Sequence, residues 1–161
     1  MWRLEVVRHA PTDDLTWRDL AEQEERLLQQ QADYLTVWMH HWIGLALARA
    51  GDTAKAQQQM AWLRSLPEGK AGGYWATHGA DLLEGEMAFM RGDLPTAVQL
   101  MAPAIEHLHA LGGGSREQKD IFHAVFTEIH RRLEHIDTVI ELAQCRLLGK
   151  PNHLQSLAAL A

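Results

Sequence analysis

The sequence predicts an all-α fold of about three antiparallel helix pairs stacked as repeats. The first observation behind this is a phrase written twice, 41 positions apart: Gly44-x6-Gly51-Asp52-x3-Ala56-x3-Met60 and Gly85-x6-Gly92-Asp93-x3-Ala97-x3-Met101. The second is punctuation. Apolar residues recur with helical period between glycine and proline stops, and no segment alternates as a strand would. A unit of that length, with a small residue inside its first helix and a Gly-Asp turn after it, cannot bury its apolar face alone and has to stack on neighbours.

The elements follow in order. Residues 1–33 are read as N-terminal helices: a short one over Trp2 to Arg8, stopped by Pro11 and the Asp13-Asp14 pair, then a second from an N-cap at Thr16 to Gln30. Its apolar stripe includes Trp17, Ala21 and Leu28 beside a Glu/Gln face, as expected of a surface helix. Repeat one spans residues 34–67. Its first helix runs from Tyr34 to Ala50, Gly51 supplies the left-handed residue that closes it, and Asp52-Thr53 caps a second helix from Ala54 to Leu66. Repeat two spans 74–111, with a helix from Tyr74 to Arg91, the Gly92-Asp93 turn, and a helix to Leu111 that Pro103 should kink or break. Ser115-Arg116-Glu117-Gln118 has the form of a capping box and opens a degenerate third repeat over 115–149. Glu134 stands where the turn glycine would be, and Asp137 to Leu148 forms the partner helix. Residues 153–161 are expected to form a short terminal helix.

Bulk properties exclude several functional classes. The chain has 161 residues, 47% apolar and 22% charged, which is globular composition with enough material for one core. A formal net charge of −6 argues against a nucleic-acid partner, because phosphate binding needs a concentrated basic stripe. The apolar run from Tyr34 to Leu47 is shorter than a membrane span and carries His40 and His41, so no membrane association is expected. Charges run through the first residues where a secretory signal would be apolar, which makes the cytoplasm the expected compartment. Cys145 is the only cysteine; no internal disulfide is possible, and a buried inert thiol is expected. Ten histidines are the unusual feature of the composition.

Gly44 and Gly85 are read as the points where paired helices cross most closely, with Ala56 and Ala97 on the facing helices. A mid-helix glycine costs about 1 kcal/mol against alanine, so two at equivalent positions imply a packing gain. This small-residue, Gly-turn, Ala pattern resembles the tetratricopeptide repeat (TPR), whose standard unit is about 34 residues. A closer likeness runs along nearly the whole chain. Trp2-Arg3-Leu4-Glu5, His41 ten residues before Gly51, and Gly113-Gly114-Ser115-Arg116-Glu117-Gln118-Lys119-Asp120-Ile121-Phe122 are similar to the tetratricopeptide repeat protein 38 family. The resemblance implies a TPR-like right-handed α-solenoid and carries no established activity. Two departures stand out. Arg116 and Lys119 replace the histidine and arginine usual in the family's Gly-Gly-Ser motif, and the family's members are normally longer, so the chain resembles their C-terminal portion. Apolar surface on its first helices is then expected to be covered by another chain, most simply in a homodimer.

Each candidate site also has a reading as simple packing. Trp38, His41, Trp42 and Arg49 from repeat one and Glu86 from repeat two project onto the inner face, continued by Glu128, Arg131 and Arg132; they form either a groove for a peptide or small amphipathic ligand, or simply core. His40 and His41 diverge by about 100° on a helix, and His123 and His130 lie two turns apart, so no histidine spacing favours a metal. No cofactor is implied. Ser115 lacks a nucleophile elbow and reads as a cap. Gly112 to Ser115, with Arg116 and Lys119, could hold an anion at a helix start, but no Gly-Lys-Ser/Thr sequence is present.

Two functions follow as expectations. The first is a non-catalytic helical-repeat protein that binds a protein or peptide and associates with its own copy, through Trp38, His41, Trp42, Arg49, Glu86, Arg116, Gln118 and Asp120. The alternative is a small-molecule-binding domain or enzyme with a site where His41, Gln118 and Asp120 meet in an open pocket larger than about 300 Å³.

Overall fold

The computed structural model describes residues 14–31, 37–67, 74–111 and 115–160, and every regular element among them is helical. The expected helix at Trp2 to Arg8, the start of the helix at Tyr34, and the glycine loops at 69–73 and 112–114 lie outside the described residues. Helix α1 spans Asp14–Gln31. It starts two residues before Thr16, so Thr16 sits in the first turn and is not the N-cap. Trp17 and Ala21 from its apolar stripe are buried.

Three helix pairs follow. Helices α2 (Val37–Arg49) and α3 (Thr53–Arg64) pack against each other, as do α4 (Ala80–Met90) and α5 (Leu94–Glu106), and α6 (Arg116–Arg132) and α7 (Ile136–Gly149). Helix α1 lies on α2; α4 packs on both α2 and α3, α5 on α6, and the terminal α8 (Leu154–Ala159) on α7. The result is a sequence of pairs in which the central pair touches both others.

Each pair is joined by the same turn. The Asp52 N–H bonds to the Leu47 carbonyl at 2.9 Å and the Gly51 N–H to Ala48 at 3.1 Å. The Asp93 N–H bonds to Ala88 and the Gly92 N–H to Phe89, both at 3.0 Å. These paired bonds define the Schellman motif, which satisfies the last carbonyls of a helix and requires a left-handed residue after it. Gly51 and Gly92 provide it at φ 86° and 79°. The third turn repeats the pattern without glycine: His135 N–H to His130 at 3.0 Å, Glu134 N–H to Arg131 at 3.2 Å, and Glu134 itself at φ 59°. Asp52 and Asp93 then cap the next helices through the amides of Lys55 and Thr96, whereas His135 makes no such side-chain bond.

Gly85 marks a close crossing within its own pair, whereas Gly44, expected at the crossing of α2 with α3, lies closest to α4 of the next pair. A Cβ at Gly44 would stand 2.6 Å from Leu83 Cδ2, and one at Gly85 would stand 2.4 Å from Met101 Cγ. Ala56 and Ala97 are fully buried. The core is continuous from Trp17 through Ile43, Leu63, Leu83, Phe89 and Met101 to Phe122 and Ile129.

Of three local features, two differ from the sequence expectations. The helix entering repeat two starts with a π turn over Trp75–Gly79, in which the Ala80 N–H reaches the Trp75 carbonyl five residues back. A side chain at Gly79 would overlap the Trp75 ring, at 2.1 Å. Helix α5 stops short of Leu111 in the early break that Pro103 predicts: it ends at Glu106, three residues after the proline, and a short 3₁₀ turn over Leu108–Ala110 follows. Proline lacks the amide that the preceding turn needs, which weakens the helix at that point. Cys145 is exposed rather than buried. Helix α7 fully buries only Val139 and Ala143, and Cys145 falls on its open side.

Candidate functional site

Residues expected to share an inner face divide between two places. In the first, α2 and α4 bring His41 and Glu86 together inside the core, at 0% and 1% exposure. His41 Nδ1 lies 3.2 Å from the Gly79 carbonyl and Nε2 lies 2.9 Å from Glu86 Oε2. A carbonyl can only accept, so Nδ1 carries hydrogen. The other Glu86 oxygen, Oε1, is buried without a hydrogen-bond partner among the described residues. The π turn contributes directly here, because Gly79, its last residue, is the one that faces Nδ1.

Aromatic rings enclose this pair. Phe122 meets His41 edge-on at 5.1 Å, Trp42 meets it edge-on at 5.7 Å, and Trp75 lies tilted at 6.1 Å. Trp38 packs edge-on against Trp42, Trp75 and Phe122. Trp38 is buried and Trp42 partly so, both within the core cluster. Edge-to-face rings at these separations stabilise by about 0.5–1.5 kcal/mol per pair beyond their area. With no exposed surface at His41 or Glu86, the cluster is a packed polar centre and not an open groove. Arg49, at the end of α2, lies 5.6 Å over the Trp17 ring and ties α1 to the first pair.

The second place is at the far end of the molecule. Asp120, on α6, is 6% exposed. Arg146 Nη2 donates to its Oδ1 at 2.7 Å, while Lys150 Nζ and His153 Nε2 lie 3.5 Å from its Oδ2. The terminal helix is capped within the same group, the Ser156 N–H donating to His153 Nδ1 at 3.2 Å. Asp120, Arg146 and Lys150 border a cavity of about 450 Å³ between α5, α6 and α7, with Leu108, His123 and Leu142 among its walls. Burial holds His123 below its ordinary value of 6.5; the charges of Arg146 and Lys150 push the same way and Asp120 opposes them.

His41, Gln118 and Asp120 therefore do not form one site: the cavity borders Asp120 but neither His41 nor Gln118. Gln118 is exposed and completes the capping box, its Oε1 accepting from the Ser115 N–H at 2.7 Å while its own N–H donates to Ser115 Oγ at 3.3 Å. Arg116 opens α6. Lys119 turns its ammonium to the Leu111 carbonyl. Glu128, for which burial alone would raise the carboxyl, is instead held low by hydrogen bonds from Arg131 and Arg132, so this trio is a local charge knot on α6.

Other histidines pair among themselves. His130 and His135 approach Nδ1 to Nδ1 at 3.1 Å across the third turn, and His78 and His107 pack 4.9 Å apart beside Tyr74. His40 stacks on Trp62 at 3.7 Å and bonds to Gln59. No three His, Cys, Asp or Glu side chains among the described residues are arranged to hold a metal ion, and no helix there is long and apolar enough to cross a membrane. The Asp120 partners Arg146, Lys150 and His153 had no sequence signal, since they lie 26 to 33 positions away on other elements. No family model, curated protein or solved structure matches the chain.

Proposed function

We propose that this chain is a non-catalytic helical-repeat binding protein, TPR-like in its stacking, that associates with a second copy of itself. The resemblance of its Gly113-to-Phe122 motif to the tetratricopeptide repeat protein 38 family supports the repeat reading, and its single cysteine fits a cytoplasmic setting. The observation that carries self-association is a set of exposed apolar side chains on α7 and around the terminal helix. Leu148 is 87% exposed, Ile136 56%, Leu157 45% and Leu160 40%. Leucines left in water at the end of a stack are what a further helical layer would cover.

Size-exclusion chromatography with light scattering tests this. The expected result is a dimer that Leu148→Glu converts to monomer with an unchanged helical spectrum. A wild-type protein that stays monomeric at its highest soluble concentration overturns the proposal.

A second reading is favoured by one specific feature, the 450 Å³ cavity beside Asp120. That volume falls within the range of small-molecule sites, about 300–1,000 Å³. On this reading the protein holds an organic ligand between α5, α6 and α7.

A further inference from the structure

We infer that the cavity beside Asp120 binds a small organic anion with an apolar body, of the medium-chain carboxylate or alkyl phosphate class. The inference rests on the second reading above, that this cavity takes a ligand. Its walls combine two kinds of residue. Ile105, Leu108 and Leu142 supply apolar surface, and Lys119, Arg146 and Lys150 supply positive charge. Asp120 is the one acidic residue of the lining, and it is already engaged by Arg146, Lys150 and His153. In a chain of formal net charge −6, this is a local excess of cations against the overall sign.

Arg146 sharpens the point. Its side chain is 9% exposed, and one donor, Nε–H, is buried with no hydrogen-bond partner among the described residues. Guanidinium groups are seldom left so, because a buried donor without an acceptor keeps its desolvation cost with nothing in return. An anionic head group on this wall would meet the guanidinium and the Lys150 ammonium, while its hydrocarbon part met Ile105 and Leu142. A cationic ligand would face repulsion, and a neutral one would leave the excess charge unanswered.

The test uses Cys145, the only thiol, which is exposed and lies on the cavity wall. Its alkylation by iodoacetamide, a neutral reagent, is followed by mass spectrometry in the presence of octanoate, octyl phosphate, octylamine or octanol, with calorimetric titration of the same compounds. Octanoate, octyl phosphate or both are expected to slow alkylation several-fold and to release or absorb heat, the stronger of the two identifying the head group. Lys150→Glu, whose side chain is partly exposed, is expected to weaken that binding by at least about tenfold, the value of one charged hydrogen bond. Should Lys150→Glu not fold, Lys150→Gln gives the same comparison with a smaller loss. If octylamine or octanol protects Cys145 as well as the anions do, the cavity remains a ligand site but the anion class is overturned. If none of the four protects and none gives heat, both the inference and the reading beneath it fail. Unaltered anion affinity in both Lys150 variants also overturns the inference.

Discussion

Glu134 shows how a residue can be forced by its place. Among the described residues it is the non-glycine with a positive φ, at 59°, in a turn whose two equivalents hold glycine. The left-handed conformation costs an ordinary residue roughly 1–2 kcal/mol, which glycine largely escapes. Glu134 is exposed, so little else depends on it. Glu134→Gly is therefore expected to stabilise the protein by about 1 kcal/mol, read as a higher denaturant midpoint with an unchanged slope. A lower midpoint would mean that the carboxylate makes a contribution larger than the strain. The sequence placed Glu134 where the turn glycine would be, but it did not show that Glu134 takes the left-handed conformation there. His41 was legible in a different measure. Its spacing placed it on the inward face with Trp38, Trp42 and Glu86, but spacing cannot distinguish a groove from a sealed core, because that depends on Trp75 and Phe122 arriving from other helices.

Among elements, the first two pairs were readable because their crossings need particular letters. Gly44 and Gly85 stand where a Cβ would overlap a neighbour, Leu83 of the next pair for the first and Met101 of its own pair for the second. Gly44→Leu is expected to cost about 1–3 kcal/mol, since even its Cβ would meet Leu83 at 2.6 Å and Gln59 at 3.2 Å. An unchanged melting temperature would show that α2 can move away from α4 at no cost. The third pair was less readable for a physical reason. Counted from its turn, Thr127, Val139 and Ala143 hold the positions of Gly85, Ala97 and Met101, and the latter two are buried as their equivalents are. Burial accepts several side chains where a close crossing accepts only glycine, so the register persists without the spelling. The π turn at Trp75–Gly79 left no trace in periodicity, since one extra residue in a turn shifts the pattern less than ordinary sequence variation does.

For the whole molecule, the histidines set the response to acid. Burial lowers His40, His78, His123 and His130 below their ordinary 6.5, with neighbouring charge adding to the effect at His78, His123 and His130. The fold thus favours their neutral forms. Above pH 6.5 both folded and unfolded chains hold them neutral and the contribution is complete; as pH falls below that, the unfolded chain takes up protons that the fold resists. Thermal stability is expected to be level above about pH 7 and to fall steadily from about pH 6.5 downward, before the carboxylates begin to titrate. A melting temperature that holds until pH 4.5 would assign acid sensitivity to groups such as Glu128 instead.

The three turns have one more implication. Since Gly51, Gly92 and Glu134 each sit at the same point of the same hydrogen-bonded cap, a segment cut from one of these residues to the next begins and ends with matching backbone direction. If such a segment were duplicated in frame, the capped turn would be kept at both junctions. Copy number could then be varied without designing a new joint, and the length of the molecule becomes a quantity to dial rather than a fixed property of the chain.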